Sequence, residues 1–312
     1  MKVAVTGSSG LIGTALAASL RADDHQVVRL VRRPPRAGGE RTTGDEAISE
    51  VRWDPRAADA GDPPLSGVDA VVHLAGAGVG DHRWTASYKA EIRASRVVAT
   101  AALATALAGT QPRPKTFIAA SAIGWYGDTG GRDVTEAAPA GKGFLSRVVH
   151  DWEAAADPAR EAGIRVAHLR SGLVLGIGGG VLGRLALPAR LGLLPRFGDG
   201  HQVMSWISLT DEIRAIRFLL DGPGAESRSG PYNLTAPSPV TNAELTAALH
   251  AALRRPDFGW LRVPAPLLKL ALGEMSAELL TSARVLPERL LAAGFEFSQP
   301  TIAAALAAEL PR

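Results

Sequence analysis

The sequence predicts an α/β chain: a doubly wound parallel sheet with a smaller lobe and a short helical C-terminal extension. Three observations predict it. Apolar runs of strand length recur at 2–6, 26–31, 69–76, 115–121 and 166–169, as expected of strands buried on both faces. Helical stretches rich in alanine and leucine lie between them, at 14–22, 84–108 and 144–162, the alternation that produces crossover helices on a parallel sheet. The first strand runs through Gly7, Gly10 and Gly13 straight into the first helix.

Composition narrows the class. The chain has 312 residues, 46% hydrophobic and 21% charged, with a formal net charge of +3, an ordinary balance for a globular protein. No basic block with interleaved aromatics appears and only 5% of residues are aromatic, which argues against nucleic acid as a partner. With no cysteine, disulfides, thiolate metal sites and a cysteine nucleophile are excluded, and no metal is expected. A strand begins at residue 2 and no apolar run reaches membrane length; we therefore expect a cytoplasmic protein without signal peptide or membrane partner.

In chain order, Lys2–Thr6 leads into Gly7-Ser8-Ser9-Gly10-Leu11-Ile12-Gly13. A helix beginning there points its unpaired N–H groups at an anion. Glycines let a dinucleotide approach bare backbone. No Gly-Lys-Ser/Thr follows, so this is not a P-loop. The second strand, 26–31, ends at Arg32-Arg33, with Val31 where an acidic residue would select NAD. Paired guanidiniums suit a 2′-phosphate, so the expected cofactor is NADP(H) rather than NAD(H).

Residues 36–49 read as a polar loop, 51–55 as a short strand and 55–67 as a linker. The strand 69–76 ends at Leu74-Ala75-Gly76, small enough for a cofactor to lie against it, with His73 a structural histidine within it. The helix 84–108 follows the basic His82-Arg83-Trp84 and carries Arg93 and Arg96 on one face. Strand 115–121 delivers Ser121, then Tyr126 and Gly127, to the carboxyl edge, where open parallel sheets bind ligands. After strand 166–169 the texture changes: a glycine-rich 172–183, a helical 184–196, a strand at 205–209, a helix capped by Thr210, a strand at 232–234, and a helix to 252 capped by Thr241 or Asn242 with Glu244 in its first turn. Short helices broken by Gly273, Pro287 and Gly294 complete the chain.

Taken together these stretches resemble the extended and atypical branches of the short-chain dehydrogenase/reductase superfamily, whose core is a Rossmann fold. Thr6–Gly13 resembles its T-G-x-x-G-x-x-G signature, His73–Gly76 its H-x-A-[AG] strand end and Tyr126-Gly127 its Y-G. The whole chain is more closely similar to the SDR39U1-like epimerase family. Arg83-Trp84, Ile92–Val97, Ser121–Gly127, Asp151-Trp152-Glu153 and Arg170–Gly176 carry that likeness. The tail at 284–287 and 293–295 is similar to its small C-terminal domain of DUF1731 type. The resemblance implies a dinucleotide-binding domain at 1–170, a substrate lobe interleaved with it at 171–262, and a helical domain at 263–312. Cofactor contacts are expected from Gly7, Ser9, Gly10, Leu11, Ile12, Gly13, Arg32, Arg33, Leu74, Ala75, Gly76, Arg96, Ala120 and Ser121. A small carbonyl or nucleotide-sugar substrate would meet Arg83, Trp84, Tyr126 and Trp206, with His201, Gln202 and Ser205 as further candidates. Pairing through the long flanking helices would give a homodimer.

The chain departs from the superfamily at the catalytic Tyr-x-x-x-Lys. Counting back from Glu153, the corresponding helix reads Phe144-Leu145-Ser146-Arg147-Val148-Val149. A proton carrier is still needed beside a hydride cofactor, and Tyr126, Ser121 or a group on the 81–96 segment are the candidates. Two readings follow: an NADP-dependent epimerase or oxidoreductase, or a non-catalytic NADP-binding partner protein.

Overall fold

A computed structural model describes residues 1–34, 48–57, 61, 63 and 65–310. Among the described residues the main sheet has seven strands: β1 (Lys2–Thr6), β2 (Gln26–Val31), β3 (Ile48–Arg52), β4 (Ala70–His73), β5 (Thr116–Ala122), β6 (Arg165–Ser171) and β7 (Gly230–Leu234). All pair in parallel, in the order β7-β6-β5-β4-β1-β2-β3. The order reverses between β1 and β4, and a crevice opens there at the carboxyl ends.

The pleat sorts each strand onto two cores. Val3, Val5 and Val72 pack with Leu16, Leu20, Ile213, Ile216 and Leu219, from α1 (Leu11–Ala22) and α4 (Leu209–Leu220). Ala4, Val71 and Phe117 face the other way onto Leu103 and Leu107 of α2 (Ala86–Gly109). Thr85 starts α2 by accepting from the Tyr88 N–H. On the same side as α2, α3 (Phe144–Ala154) runs beside β5, with Trp152 donating to Thr100.

Several boundaries differ from expectation. The stretch 144–162 is two helices, because Pro158 opens a second one at Asp157–Glu161 and supplies no N–H to a continuous one. The helix expected over 184–196 spans Gly180–Arg190, and the glycine-rich stretch before it contains the strand Leu173–Leu175. The cap of α4 is Ser208, whose side chain accepts from Asp211 N–H; Thr210 lies inside the helix and bonds Glu309. The strand at 232–234 is part of β7 and belongs to the main sheet. At 241 the expectation holds: Thr241 and Glu244 form a reciprocal capping box. The loop expected over 36–49 lies outside the described residues up to 47, as do parts of the linker 55–67.

The lobe beyond β6 is organised by Trp206–Ser208, which pairs in parallel with Leu173–Leu175 over a core that includes Leu182, Leu245, Leu249 and Leu306. The C-terminal segment is stitched into the body, with Arg284–Val285 beside Asp133–Val134 and Arg262–Val263 beside Arg196–Phe197. No helix among the described residues is long and apolar enough to cross a membrane.

Candidate cofactor cleft and a second cavity

A cleft of about 640 Å³ lies at the β1/β4 reversal, lined by the glycine turn, the end of β2 and the end of β4. Its floor is backbone. Gly7 has φ +66°, and a Cβ there would stand 2.7 Å from the Leu74 carbonyl carbon. A Cβ on Gly13 would collide with the Gly7 carbonyl oxygen, so the helix meets the turn only if residue 13 is glycine. The first turn of α1 holds no acidic residue and its cap, Gly10, offers no side-chain acceptor. Its N–H groups are therefore available to an anion. Gly7, Ser9 and Gly10 line the cleft. Leu11 stands at the start of α1, while Ile12 packs toward the core and Gly13 is buried.

Arg32 and Arg33 line the opposite end of the cleft. Arg33 is held by Glu50 of β3 at 2.6 Å, and Arg32 is exposed. Sequence reasoning missed the rest of this wall: Trp53, Asp54, Pro55 and Arg56 after β3, with Glu91 of α2 facing them. Arg56 and Glu91 pair across the cleft at 2.6 Å. A tryptophan followed by Asp-Pro after a strand was the available signal, but the third strand looked like a bare stop.

Leu74, Ala75 and Gly76 line the floor between these ends. Thr6 Oγ1 accepts from the Leu74 and Ala75 N–H groups and lies 2.6 Å from His73 Nδ1. Burial lowers the His73 pKa to about 4, so the ring is neutral, a structural histidine as expected. Arg96 does not line the cleft. Its guanidinium lies under Gly76, 3.4 Å from where a Cβ would stand, and rests over Trp152 while donating to the Ile92 carbonyl. Ala120 and Ser121 also stay off the cleft surface.

Two of the acid/base candidates belong to one buried network. Arg170 and Glu153 form an ion pair at 2.7 Å, with side chains 3% and 10% exposed. Ser121 Oγ donates to Glu153 at 2.6 Å. Tyr126, only 4% exposed, donates to Asn233 Oδ1 at 2.7 Å and accepts from Arg170 at 3.1 Å. Burial raises the Tyr126 pKa, with the Arg170 charge opposing it in part. Burial would also raise Glu153, but hydrogen bonds from Arg170 and its charge hold the carboxylate below its ordinary range.

A second cavity, of about 890 Å³, opens between α3 and the C-terminal helices. Trp84 and Phe144 form an aromatic wall with centroids 5.2 Å apart. Of the expected substrate residues Trp84 faces this cavity, while Arg83 reaches the Leu270 carbonyl. Trp206 is a correction: it is 0% exposed, its indole donates to the Ser238 carbonyl, and burial removes it from any ligand surface. Gln202 and Ser205 are likewise buried and spend their side chains on backbone carbonyls, and His201 is exposed outside both cavities. Arg93 is paired with Asp151.

Helix Gly180–Arg190 reaches back to the loop after β4. Arg184 bonds the Gly80 carbonyl and Asp81, each at 2.6 Å. The glycine segment before it packs on Leu11, with Gly176 and Gly180 each 3.4 Å from the Leu11 side chain at the Cβ position.

Comparison with known proteins agrees with this architecture. The profile of the NAD dependent epimerase/dehydratase family matches residues 3–235, and a domain of unknown function, DUF1731, matches 263–309. An epimerase family protein of Mycobacterium leprae is 46% identical, over 97% of this chain and 94% of its own length. A crystal structure of human epimerase family protein SDR39U1, with NADPH, superposes with TM-score 0.86 at 34% identity, covering 99% of both chains. A nucleoside-diphosphate sugar epimerase from Corynebacterium glutamicum gives 0.77 at 36% identity, over 99% of this chain and 58% of that one. With the family model matched over residues 3–235 and relatives matched over nearly the whole chain, this chain belongs to the NAD dependent epimerase/dehydratase family.

Proposed function

We propose that the chain binds NADP(H) in preference to NAD(H) and acts as an epimerase or oxidoreductase on a small carbonyl or nucleotide-sugar-like compound. One observation carries the cofactor reading: a single cleft joins the open N-terminus of α1 to Arg32 and Arg33. The α1 N–H groups would hold the pyrophosphate, and the two guanidiniums the 2′-phosphate. Leu74–Gly76 would leave room for the nicotinamide end. The NADPH in the human relative supports the same choice. When bound, the cofactor supplies hydride transfer; the protein must position substrate and move a proton.

The proton carrier is the open element. The contacts of Tyr126 and Ser121 favour a supporting role, because both hydroxyls serve the buried Arg170–Glu153 pair and its neighbours. Helix α3 presents Phe144, Leu145 and Ser146 toward the second cavity, with no tyrosine or lysine along its length. This favours, as a second reading, a cofactor-binding protein without turnover. The domain division at 170 and 262, a cytoplasmic location and a homodimer paired through α2, where Val98 is exposed, complete the proposal.

Calorimetric titration separates the claims. Saturable binding of NADPH with weaker NADH is expected; no saturable heat from either rejects the reading. Oxidation of NADPH with a panel of carbonyl compounds reads an oxidoreductase, and inversion of a carbinol centre in nucleotide sugars, which consumes no net cofactor, reads an epimerase; the absence of both signals leaves the binder.

A further inference from the structure

We propose that the cavity between α3 and the C-terminal helices takes an anionic carbonyl compound with a flat apolar body, an arylalkyl oxo acid, its charged group facing Lys142 and Lys269 and its carbonyl oxygen facing the Glu278 carboxyl. This deepens the oxidoreductase reading and rests on it. It also gives the C-terminal segment a direct part in substrate recognition.

The chain leads from the cofactor cleft to the wall of this cavity. Gly76 and Ala77 line the cleft, and the chain continues through Val79, whose carbonyl accepts from the Trp84 indole at 2.9 Å. Gly124, just past the carboxyl end of β5, lies on its wall. Its volume, about 890 Å³, is that of a small-molecule site. Trp84, Phe144, Leu145, Pro266 and Leu280 supply apolar surface, which suits a flat ring.

The polar groups set the ligand's chemistry. Glu274 pairs with Lys89 at 2.6 Å, and that ammonium also lies over the Phe144 ring. Asp128 accepts the Gly130 N–H at 2.9 Å. Arg83 lies beside Gly273 of the lining and donates to the Leu270 carbonyl. Lys142 and Lys269 remain to meet an anion. Glu278 has a different setting: burial raises its pKa, and no charge contributes to the shift. The shift favours the protonated form, and a protonated carboxyl donates a hydrogen bond that a carbonyl oxygen accepts. Two ammoniums and one carboxyl whose neutral form burial favours, on an aromatic wall, therefore suit an oxo acid better than a sugar, whose many hydroxyls would face apolar surface.

The test uses the full chain saturated with oxidised NADP, so that no hydride moves, titrated calorimetrically with phenylpyruvate, phenylpropionate, which lacks the carbonyl, and benzylacetone, which lacks the carboxylate. Phenylpyruvate should bind most tightly. Lys142→Met should weaken phenylpyruvate and phenylpropionate roughly tenfold, as expected for one charge-assisted contact, and leave benzylacetone unchanged. Binding of both carbonyl compounds should weaken as pH rises through the Glu278 titration, and Glu278→Gln should abolish that pH dependence while still binding, which a merely structural glutamate would not produce. No saturable heat from phenylpyruvate, an affinity indifferent to Lys142→Met, or a pH profile unchanged in Glu278→Gln overturns the proposal. Repeating the titrations without cofactor keeps the two readings apart: failure of NADP itself to bind counts against the cofactor assignment alone.

Discussion

Under the proposed cofactor reading Arg32 would carry more of the choice than Arg33, because Arg33 already has Glu50 at 2.6 Å and Arg32 is exposed at the cleft edge. Reversing its sign places a carboxylate against a phosphate. Arg32→Glu should weaken NADPH by at least tenfold and NADH little, measured by fluorescence titration. Two buried groups shape stability. The Glu212 carboxyl is fully buried, takes one hydrogen bond from Ser171 at 2.6 Å, and has its other oxygen unpartnered. Burial raises its pKa from 4.5 to about 8. The folded state therefore holds a proton that the unfolded state releases, and stability falls as pH rises between those values. His73 acts in the opposite sense, losing stability as pH falls from 6.5 toward about 4. These two groups alone give a plateau between 4.5 and 6.5 and a decline above it. Glu212→Gln should remove the decline, raising the melting temperature at alkaline pH by an amount worth a few kcal/mol; a variant that melts with the wild-type pH profile would refute this.

Elements meet at buried charges and at a strap. The Arg170–Glu153 pair joins β6 to α3 and is nearly inaccessible. Glu153→Gln leaves a guanidinium buried without its counter-charge, a loss of about 3–5 kcal/mol, readable in urea unfolding. Ser121 loses its charged acceptor in the same variant. Helix Gly180–Arg190 crosses from the α1 side to the loop after β4 and is fastened there by the half-exposed pair of Arg184 and Asp81. An exposed pair adds little to stability, so Arg184→Ala should leave the melting temperature near that of the wild type. By releasing the strap it should speed NADPH dissociation several-fold in stopped-flow displacement; an unchanged off-rate would reduce Arg184 to a surface contact.

At the scale of the molecule, the C-terminal segment is part of the body. Leu290 and Phe295 belong to the core under α1 and α4, and Leu306 to that of the second lobe. Asp211, buried in α4, accepts the N–H groups of Ser298 and Gln299. Ending the chain at residue 262 would expose both cores and leave that carboxylate without these donors. The truncated protein should lack the cooperative melting transition of the full chain in circular dichroism. A truncation that melts like the full chain would show the segment to be an appendage.

The sequence by itself determined the strand–glycine–helix unit, the parallel core and the place of the cofactor cleft. Those features leave their mark in the residue types themselves: Val3, Ala4 and Val5 are apolar because both faces of β1 are covered, and Gly7 and Gly13 are glycine because backbone touches backbone. Arg32-Arg33 was legible for the same reason, being fixed by its distance from β2. Tertiary structure decided the rest. Tyr126 and Trp206 look like ligand-facing aromatics in one dimension; the partners that bury them, Asn233 and Ser238, lie 107 and 32 residues away. The Arg56–Glu91 clasp and the cavity shared by Trp84 and Glu278 likewise join segments distant in sequence. Periodicity and motif spacing report what a residue does with its own backbone, and such pairings arise only once the sheet has brought the loops to one edge.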